Sequence, residues 1–173
     1  MNSVLHFHGP YGLTPTGGWP SLSTPVAAEH GIYLWTVELP DRYRVAYVGK
    51  TDGRGGFKVR LAVEVERYLR QLPGDNCYDV ALFRQGERKL ISPDHVALQG
   101  GIDWSPVFIA PISCDAHRLL LIESAIIRRL RSYSPGTRSF LVNRHCRKTR
   151  LPEPLEITSP DGIVLEGLEE PVQ

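Results

Sequence analysis

Cysteine, long apolar runs and net charge are all scarce in this sequence, and each scarcity excludes a class of protein. The three cysteines, Cys77, Cys114 and Cys146, stand far apart among 173 residues, and no two form a C-x-x-C pair. This spacing favours free buried thiols over a disulfide framework or a zinc site. No apolar run approaches the roughly 18 residues of a membrane span. The sequence does not start with basic residues followed by an apolar stretch, so it predicts no secretory signal. We therefore expect a cytoplasmic protein.

What the chain does contain is typical of one soluble domain with an uneven distribution of charge. Its apolar share of 42% and charged share of 23% are ordinary, and 173 residues would be cramped as two domains. The net charge of +1 hides nine basic residues against one acid between positions 118 and 150, followed by six acids and no base in residues 151–173. The basic segment is a candidate phosphate-binding surface, although a solvated helix face has the same composition.

Two β-rich runs early in the chain predict a β-hairpin. They span Gly31–Leu39 and Tyr43–Lys50 and are joined by a turn at Pro40–Asp41. Strand alternation predicts two groups of residues that each share a face: Tyr33, Trp35 and Val37 on the first strand, and Tyr43, Val45 and Tyr47 on the second.

Two helices are predicted from the spacing of their apolar residues. The first, roughly Lys58–Gln71, follows a glycine-rich loop and ends before Pro73–Gly74. The second and stronger helix, about Ala116–Ser132, has Asp115 as its N-cap and ends at Pro135–Gly136. Shorter β-rich runs predict further strands: Val4–Phe7, Tyr78–Phe83, Lys89–Ile91, Pro106–Ile112 and Ser139–Val142.

One carboxylate occupies an unexpected place on the second predicted helix. At about 100° per residue, Glu123 falls near the middle of the apolar arc, whereas Ser124 falls on the opposite side with the arginines. An unpaired carboxylate buried there would cost several kcal/mol, so it must be paired or bound to a cation. The sequence leaves open a buried ion pair with an arginine and a site for a metal or substrate. The apolar arc comprises Leu119, Leu120, Ile122, Ile126, Ile127 and Leu130.

Five short features of the hairpin and helices stand in a recognisable order. They are Gly31-Ile32-Tyr33, Tyr47-Val48-Gly49, the pair Arg60-Leu61, Glu123 in the apolar helix, and Asn143 after that helix. Together they resemble the GIY-YIG nuclease family, with Val48 as a common variant of the isoleucine in the second motif. Each tripeptide alone is a weak signal, but five features in the right order are a strong one.

The resemblance covers about residues 31–143 and implies an α/β (α+β) fold, in which helices flank a small three-stranded antiparallel sheet. The two hairpin strands and Pro106–Ile112 would form that sheet. The chain then divides into an irregular N-terminal extension (1–29), a nuclease domain (30–150) and an acidic C-terminal tail (151–173). We expect the tail to be loosely packed, with partial order at Ile163–Leu168. Residues 72–105 exceed a minimal core and are predicted to be an insertion that carries a hairpin.

The resemblance also implies a catalytic set for phosphodiester hydrolysis. Glu123 would hold one Mg²⁺ or Mn²⁺ ion per active site, and Arg60 would donate hydrogen bonds to the scissile phosphate. Tyr33, with Tyr47 close by, would orient or deprotonate the attacking water. A phenol is a poor base at neutral pH, so a nearby cation would have to lower its pKa. Ordinary sheet packing is the alternative role of both tyrosines.

Two further residues complete the implied set, and a group of basic residues would contact DNA outside it. Lys50 would supply a cation or contact phosphate, unless it is only a solvent-facing hairpin end. Asn143 would hold the scaffold or contact the backbone. The candidate DNA-binding residues are Lys50, Arg54, Lys58, Arg144, Arg147 and Lys148.

The sequence departs from the family pattern one helical turn after Arg60. The family often has tyrosine or histidine there, whereas this chain has Glu64. Tyr68, Tyr43 or His117 are candidates to supply the missing group. Glu64 itself could hold Arg60 in an i, i+4 ion pair.

The function that these features predict is a compact, metal-dependent DNA endonuclease of a restriction, phage, defence or mobile-element type. Double-stranded DNA is the expected substrate, and cutting both strands would need a homodimer or sequential nicks. One alternative is a non-catalytic nucleic-acid-binding module that retains the fold. Another is an interaction protein whose acidic tail covers the basic groove and mimics DNA.

Overall fold

The computed structural model describes residues 3–11, 25–61, 81–84, 87–90, 106–141, 143 and 146–173. Within these ranges no helix is long and apolar enough to cross a membrane. The strands are β1 (Ser3–His6), β2 (His8–Tyr11), β3 (Gly31–Glu38), β4 (Tyr43–Thr51), β5 (Ala81–Arg84), β6 (Glu87–Leu90), β7 (Val107–Pro111) and β8 (Leu155–Thr158). A 3₁₀ turn spans Pro25–Ala28, and the helices are α1 (56–61), α2 (Ala116–Tyr133) and α3 (Pro135–Phe140).

The largest sheet is antiparallel and has four strands in the order β2-β7-β3-β4. The mixed α+β class predicted from the sequence is confirmed, but the expected three-stranded sheet is wrong by one strand. The additional strand is β2, which pairs with the outer edge of β7 and comes from the segment expected to be irregular. Its sequence, HGPY, has no alternating apolar pattern. The available edge of β7, and not strand propensity, therefore accounts for this strand.

The hairpin of β3 and β4 contains a β-bulge that changes which residues share a face. Trp35 pairs with Tyr47 and Thr36 pairs with Val45, so Ala46 is an extra residue on β4. Consecutive residues of β3 lie on opposite faces, and directly opposed residues share one. Tyr47 therefore lies on the face of Trp35, and Val45 lies on the face of Thr36. The predicted common face of Val45 and Tyr47 is wrong, because alternation alone does not reveal a bulge.

The two faces of the four-stranded sheet have different composition. Leu34 pairs with both Val48 and Phe108, and these side chains form one core cluster with α2, which packs against β3 and β4. Tyr33 pairs with Gly49 and projects from the other side. We call the first side the apolar face (Ile32, Leu34, Val48, Phe108 and Ala110) and the second the tyrosine face (Tyr33, Trp35, Tyr47, Gly49 and Ile109).

A second short helix follows α2 at a place where a strand was predicted. The Ser134 Oγ accepts a hydrogen bond from the Thr137 amide at 3.0 Å, and Pro135 takes the first helical position. Both residues favour a helix start, so α3 begins as α2 ends. The predicted strand Ser139–Val142 is wrong, because residues 139 and 140 belong to α3. Asp115 caps α2 as predicted, accepting from the Arg118 amide at 2.7 Å.

The acidic C-terminal segment belongs to the core, so the predicted loose packing is wrong. β8 pairs in parallel with β1, which ties residues 155–158 to residues 3–6. Glu166 is only 6% exposed and forms an ion pair with Arg44 at 2.5 Å. The apolar residues of the segment lie among acids and do not follow the spacing of a helix or a strand. Their burial could therefore not be predicted from the sequence pattern. The buried ones are Leu151, Leu155, Leu165, Leu168 and Val172.

The predicted hairpin within residues 72–105 is confirmed. In it β5 and β6 are antiparallel, with Ala81 opposite Leu90 and Arg84 opposite Glu87. Other parts of that stretch lie outside the described residues. The predicted first helix is present from residue 56, and its course after residue 61 lies outside them too.

Candidate active site

The ring of Tyr33 lies across Gly49 on the tyrosine face. The two residues pair directly between β3 and β4. A Cβ at Gly49 would stand 2.2 Å from the Tyr33 Cζ and 2.3 Å from its hydroxyl, so no larger residue fits beneath the ring. An aromatic ring over a cross-strand glycine is a known way of covering exposed backbone in a sheet. The glycine of the second motif therefore fixes where the phenol lies.

Helix α1 brings Arg60 to this phenol. The Arg60 Nε donates a hydrogen bond to the Tyr33 hydroxyl at 3.1 Å. The helix is anchored by Phe57 and Leu61, which are fully buried. Gly31 allows the close approach, because a Cβ there would stand 2.0 Å from the Ala110 carbonyl oxygen and 2.9 Å from the Phe57 ring. The first and second motifs and the Arg-Leu pair thus meet on one face of the sheet.

Tyr47 is the second aromatic residue of this cluster. Its ring centroid lies 6.2 Å from that of Tyr33, at a tilt of 43°. This distance and tilt suit an attractive aromatic contact. Tyr33 is 0% exposed and Tyr47 is 7% exposed, whereas Arg60 is only half-buried. Of the three, Arg60 therefore has the most access to solvent and to a ligand.

Asn143 closes the outer edge of β4 beside the cluster. Its amide oxygen accepts from the Val48 N–H at 2.8 Å, and its Nδ2 donates to the Val48 carbonyl at 2.7 Å. The side chain thus replaces a neighbouring strand at the residue between Tyr47 and Gly49. Arg131 in turn donates to the Asn143 carbonyl oxygen. Sequence reasoning did not identify Arg131 as a support, because its spacing resembles that of any charged helix residue.

Glu123 lies on α2, which packs against β3 and β4. It is half-buried within the apolar arc predicted for it. The side chains around it on that arc are buried: Leu119, Ile122, Ile126, Ile127 and Leu130. Among the described residues, no group of three or more His, Cys, Asp and Glu side chains could hold a metal. A metal at Glu123 would therefore have at most one further His, Cys, Asp or Glu ligand from the described residues.

Lys50, at the end of β4, lies opposite Ile32 and forms an ion pair with Asp52 at 2.7 Å. The Lys50 ammonium lowers the pKa of the Asp52 carboxyl, chiefly through their hydrogen bond. Arg54 and Lys58 are exposed around the start of α1. These three basic residues are close to Arg60 in sequence.

The segment after Asn143 runs along α2. Ser124, predicted on the charged side of the helix, is buried, and its Oγ accepts from the Arg147 amide at 3.1 Å. Arg128 donates to the Arg147 carbonyl oxygen. The side chains of Arg147 and Lys148 are exposed, which leaves them accessible to a partner. Arg144 lies outside the described residues.

Two candidates for the missing tyrosine or histidine have other surroundings. Tyr43 packs its ring edge-on against Phe108 at 5.0 Å between centroids, within the apolar core. His117 is exposed in the first turn of α2. Glu64 and Tyr68 lie outside the described residues.

Two of the three cysteines lie in the described residues. Cys114 and Cys146 are both free and partly buried. Burial raises the pKa of the Cys114 thiol, with a further contribution from the Asp115 charge. A raised pKa keeps this thiol protonated, so it is a poor nucleophile and metal ligand at neutral pH.

Comparison with protein-family models, with curated proteins and with solved structures finds no match to this chain.

Proposed function

We propose that this chain is a metal-dependent endonuclease of the GIY-YIG type that hydrolyses a phosphodiester bond in DNA. The observation that carries the proposal is the contact between the Arg60 guanidinium and the Tyr33 hydroxyl, with the Tyr47 ring beside them. The sequence motifs alone do not require these three side chains to meet. Their convergence on one face of a sheet is what a phosphate-binding site with an aligned phenol would need.

Arg60 is the residue proposed to bind the scissile phosphate. Its Nε donates to the Tyr33 hydroxyl, which orients the guanidinium, and its terminal N–H groups are proposed to bind phosphate oxygens. Those donors stabilise the charge that builds on the phosphoryl oxygens in the transition state. Because Tyr33 is fully buried, it acts through Arg60 in this conformation and is a positioning residue.

The reaction is hydrolysis, in which a water oxygen bonds to phosphorus and the bond to the 3′ oxygen breaks. The water must lose a proton, and the leaving oxygen must gain one or be neutralised. In the proposal Tyr47, the less buried phenol, orients the attacking water beside Arg60 and, as its phenolate, takes the proton that this water loses. Negative charge on a phenol oxygen in this cluster is stabilised by the guanidinium.

Glu123 is the proposed metal ligand. Mg²⁺ accepts a site with one carboxylate because it keeps several of its waters, so the donor fits the ion. When bound, such an ion would supply charge neutralisation at a phosphate oxygen and the leaving oxygen. Both α2 and the tyrosine cluster contact β4, so the proposal puts the substrate at the edge of this strand.

The experiment is cleavage of supercoiled plasmid with Mg²⁺ or Mn²⁺ by the wild type, by Glu123→Ala and by Glu153→Ala. Glu153 is an exposed glutamate in the C-terminal segment and serves as the matched control. We expect nicking or linearisation by the wild type and by Glu153→Ala. We expect no cleavage by Glu123→Ala or when EDTA is present.

Two outcomes would contradict the proposal. Cleavage that survives Glu123→Ala would show that Glu123 is not the metal ligand. Salt-sensitive binding without cleavage of plasmid, single-stranded DNA or RNA would instead favour a non-catalytic nucleic-acid-binding module.

A further inference from the structure

A cavity of about 570 Å³ lies where α2 ends and α3 begins, apart from the residues assigned to the active site. It is lined by the last turn of α2, by Ser134 and Pro135 where α3 begins, and by one residue further along α3. The residues are Arg131, Ser132, Tyr133, Ser134, Pro135 and Arg138. Two arginines thus border one cavity, and none of these lining residues is acidic.

The lining of this cavity suits a phosphate group. Arginine presents a planar fork of N–H donors that matches two phosphate oxygens. Arg138 is exposed on α3, so its guanidinium can turn towards a ligand without breaking the core. Tyr133 is 40% exposed and adds an aromatic wall. The Ser134 hydroxyl is occupied by the Thr137 amide and hydroxyl, and Arg131 donates to Asn143, so Arg138 is the principal donor.

The cavity adjoins the basic segment that follows Asn143. Arg131 donates to the Asn143 carbonyl oxygen and lies 3.5 Å from the Cys146 Sγ, which fixes the start of this segment against α2. The next residues, 147–150, are exposed and include three basic side chains. A ligand with phosphates at regular intervals could contact the cavity and the segment together, whereas a single small anion could not.

We infer that this cavity binds a backbone phosphate of a nucleic-acid chain, away from the bond that is cut. The identity of the ligand rests on the proposed function. Arg138 is the main donor. Arg131 forms a fixed wall, because its guanidinium also supports Asn143 and, through it, the backbone of Val48.

The test variant is Arg138→Gln, since removing Arg131 would also disturb Asn143. The matched control is Arg118→Gln, which removes the same charge from the first turn of α2, about 22 Å along the helix from Tyr133 at 1.5 Å per residue. Binding of a labelled DNA duplex is measured by fluorescence anisotropy in EDTA over a range of salt concentrations. Circular dichroism confirms that each variant is folded. A parallel calorimetric titration uses inorganic phosphate alone.

If Arg138 contacts one phosphate, its loss lowers the slope of log affinity against log salt by about 0.9, which weakens binding about five-fold at 0.15 M salt. Arg118→Gln should retain the wild-type slope. An unchanged slope in Arg138→Gln overturns the inference and leaves the nuclease proposal intact. The inference is also overturned if Arg138→Gln abolishes tight binding of inorganic phosphate but leaves DNA binding unchanged. The phosphate that the cavity binds would then belong to a free anion. A lowered slope in a protein that cuts no nucleic acid supports phosphate binding in the cavity and contradicts the proposed nuclease function.

Discussion

The two faces of the central sheet use the same strands for opposite purposes. On the apolar face, Leu34 and Val48 are buried in the main core against α2. On the tyrosine face, the neighbouring residues Tyr33 and Gly49 leave a hydroxyl and a guanidinium in contact. One residue of displacement along a strand thus separates a residue of the core from a residue of the proposed site. Substitutions on the first face should affect stability, and substitutions on the second should affect catalysis.

Leu34→Ala on the apolar face should have the largest effect. Leu34 is fully buried, and its truncation leaves a cavity, so the free energy of unfolding should fall by about 2–5 kcal/mol. Urea unfolding measures the loss, with Val164→Ala, at a side chain that is 39% exposed, as the control. The cleavage rate per folded molecule should remain that of the wild type. A large fall in that rate would show that the faces are not separate.

Arg60→Gln on the tyrosine face should lower activity strongly and stability less, which is the reverse of the effect of Leu34→Ala. Losing the phosphate donor should lower kcat/KM for cleavage about 10²–10³-fold, or about 2.7–4 kcal/mol of transition-state stabilisation. The fully buried Tyr33 hydroxyl also loses a donor, which should cost about 1–3 kcal/mol of unfolding free energy. Arg118→Gln is the control of equal charge. Wild-type kcat/KM in Arg60→Gln would be incompatible with the proposed site.

Tyr33→Phe separates positioning from proton transfer. Because Tyr33 is buried and contacts Arg60, the variant should lose only the orienting hydrogen bond, a fall of about ten-fold or less in kcat. The pH–rate profile should keep its shape. A fall of about 10²-fold or more with a changed basic limb would instead identify Tyr33 as the base. Tyr43→Phe, on the apolar face, should leave kcat unchanged.

The Lys50–Asp52 pair should have the smallest effect. The pKa of Asp52 is lowered by Lys50, so the pair stabilises the fold above the ordinary carboxyl value of 3.8 and ceases to do so as the pH falls through the lowered pKa. The Asp52 side chain is 46% exposed, so solvent screening limits the contribution to at most about 0.5 kcal/mol. Asp52→Asn should therefore unfold slightly more easily than the wild type at neutral pH and equally easily in strong acid. A difference that persists in acid would exclude this pair as its cause.

Local signals in the sequence predicted the elements that carry their own pattern. The hairpin of β3 and β4, strand β7 and the capped helix α2 were all visible as alternation, helical spacing or a cap. The buried arc around Glu123 followed from the same spacing. The meeting of Tyr33, Arg60 and Gly49 was only implied by a resemblance, since no local rule relates residues on two strands and a helix.

The features that the sequence did not reveal depend on tertiary pairing. Ala46 forms a bulge because it has no partner on β3, where Trp35 pairs with Tyr47 and Thr36 pairs with Val45. The alternation of residues within β4 alone does not reveal this. Pro135 is both a stop for one helix and a start for the next, so a strand was predicted in place of α3. Leu155 pairs with β1, which is far away in the chain, and Val172 pairs in turn with Leu155.

The pairing of β1 with β8 also sets an order of events during synthesis. Residues 3–6 emerge from the ribosome early, but their partners are residues 155–158. Every strand of the four-stranded sheet is made before this partner exists, so the first strand must wait while the rest of the fold assembles. Contacts across such a separation are slow to form, because a long loop must close before they contribute. The last step of folding is therefore expected to be the docking of β8 with Leu165 and Leu168, and a chain stalled before residue 155 would keep Leu5 and Phe7 exposed to chaperones and proteases.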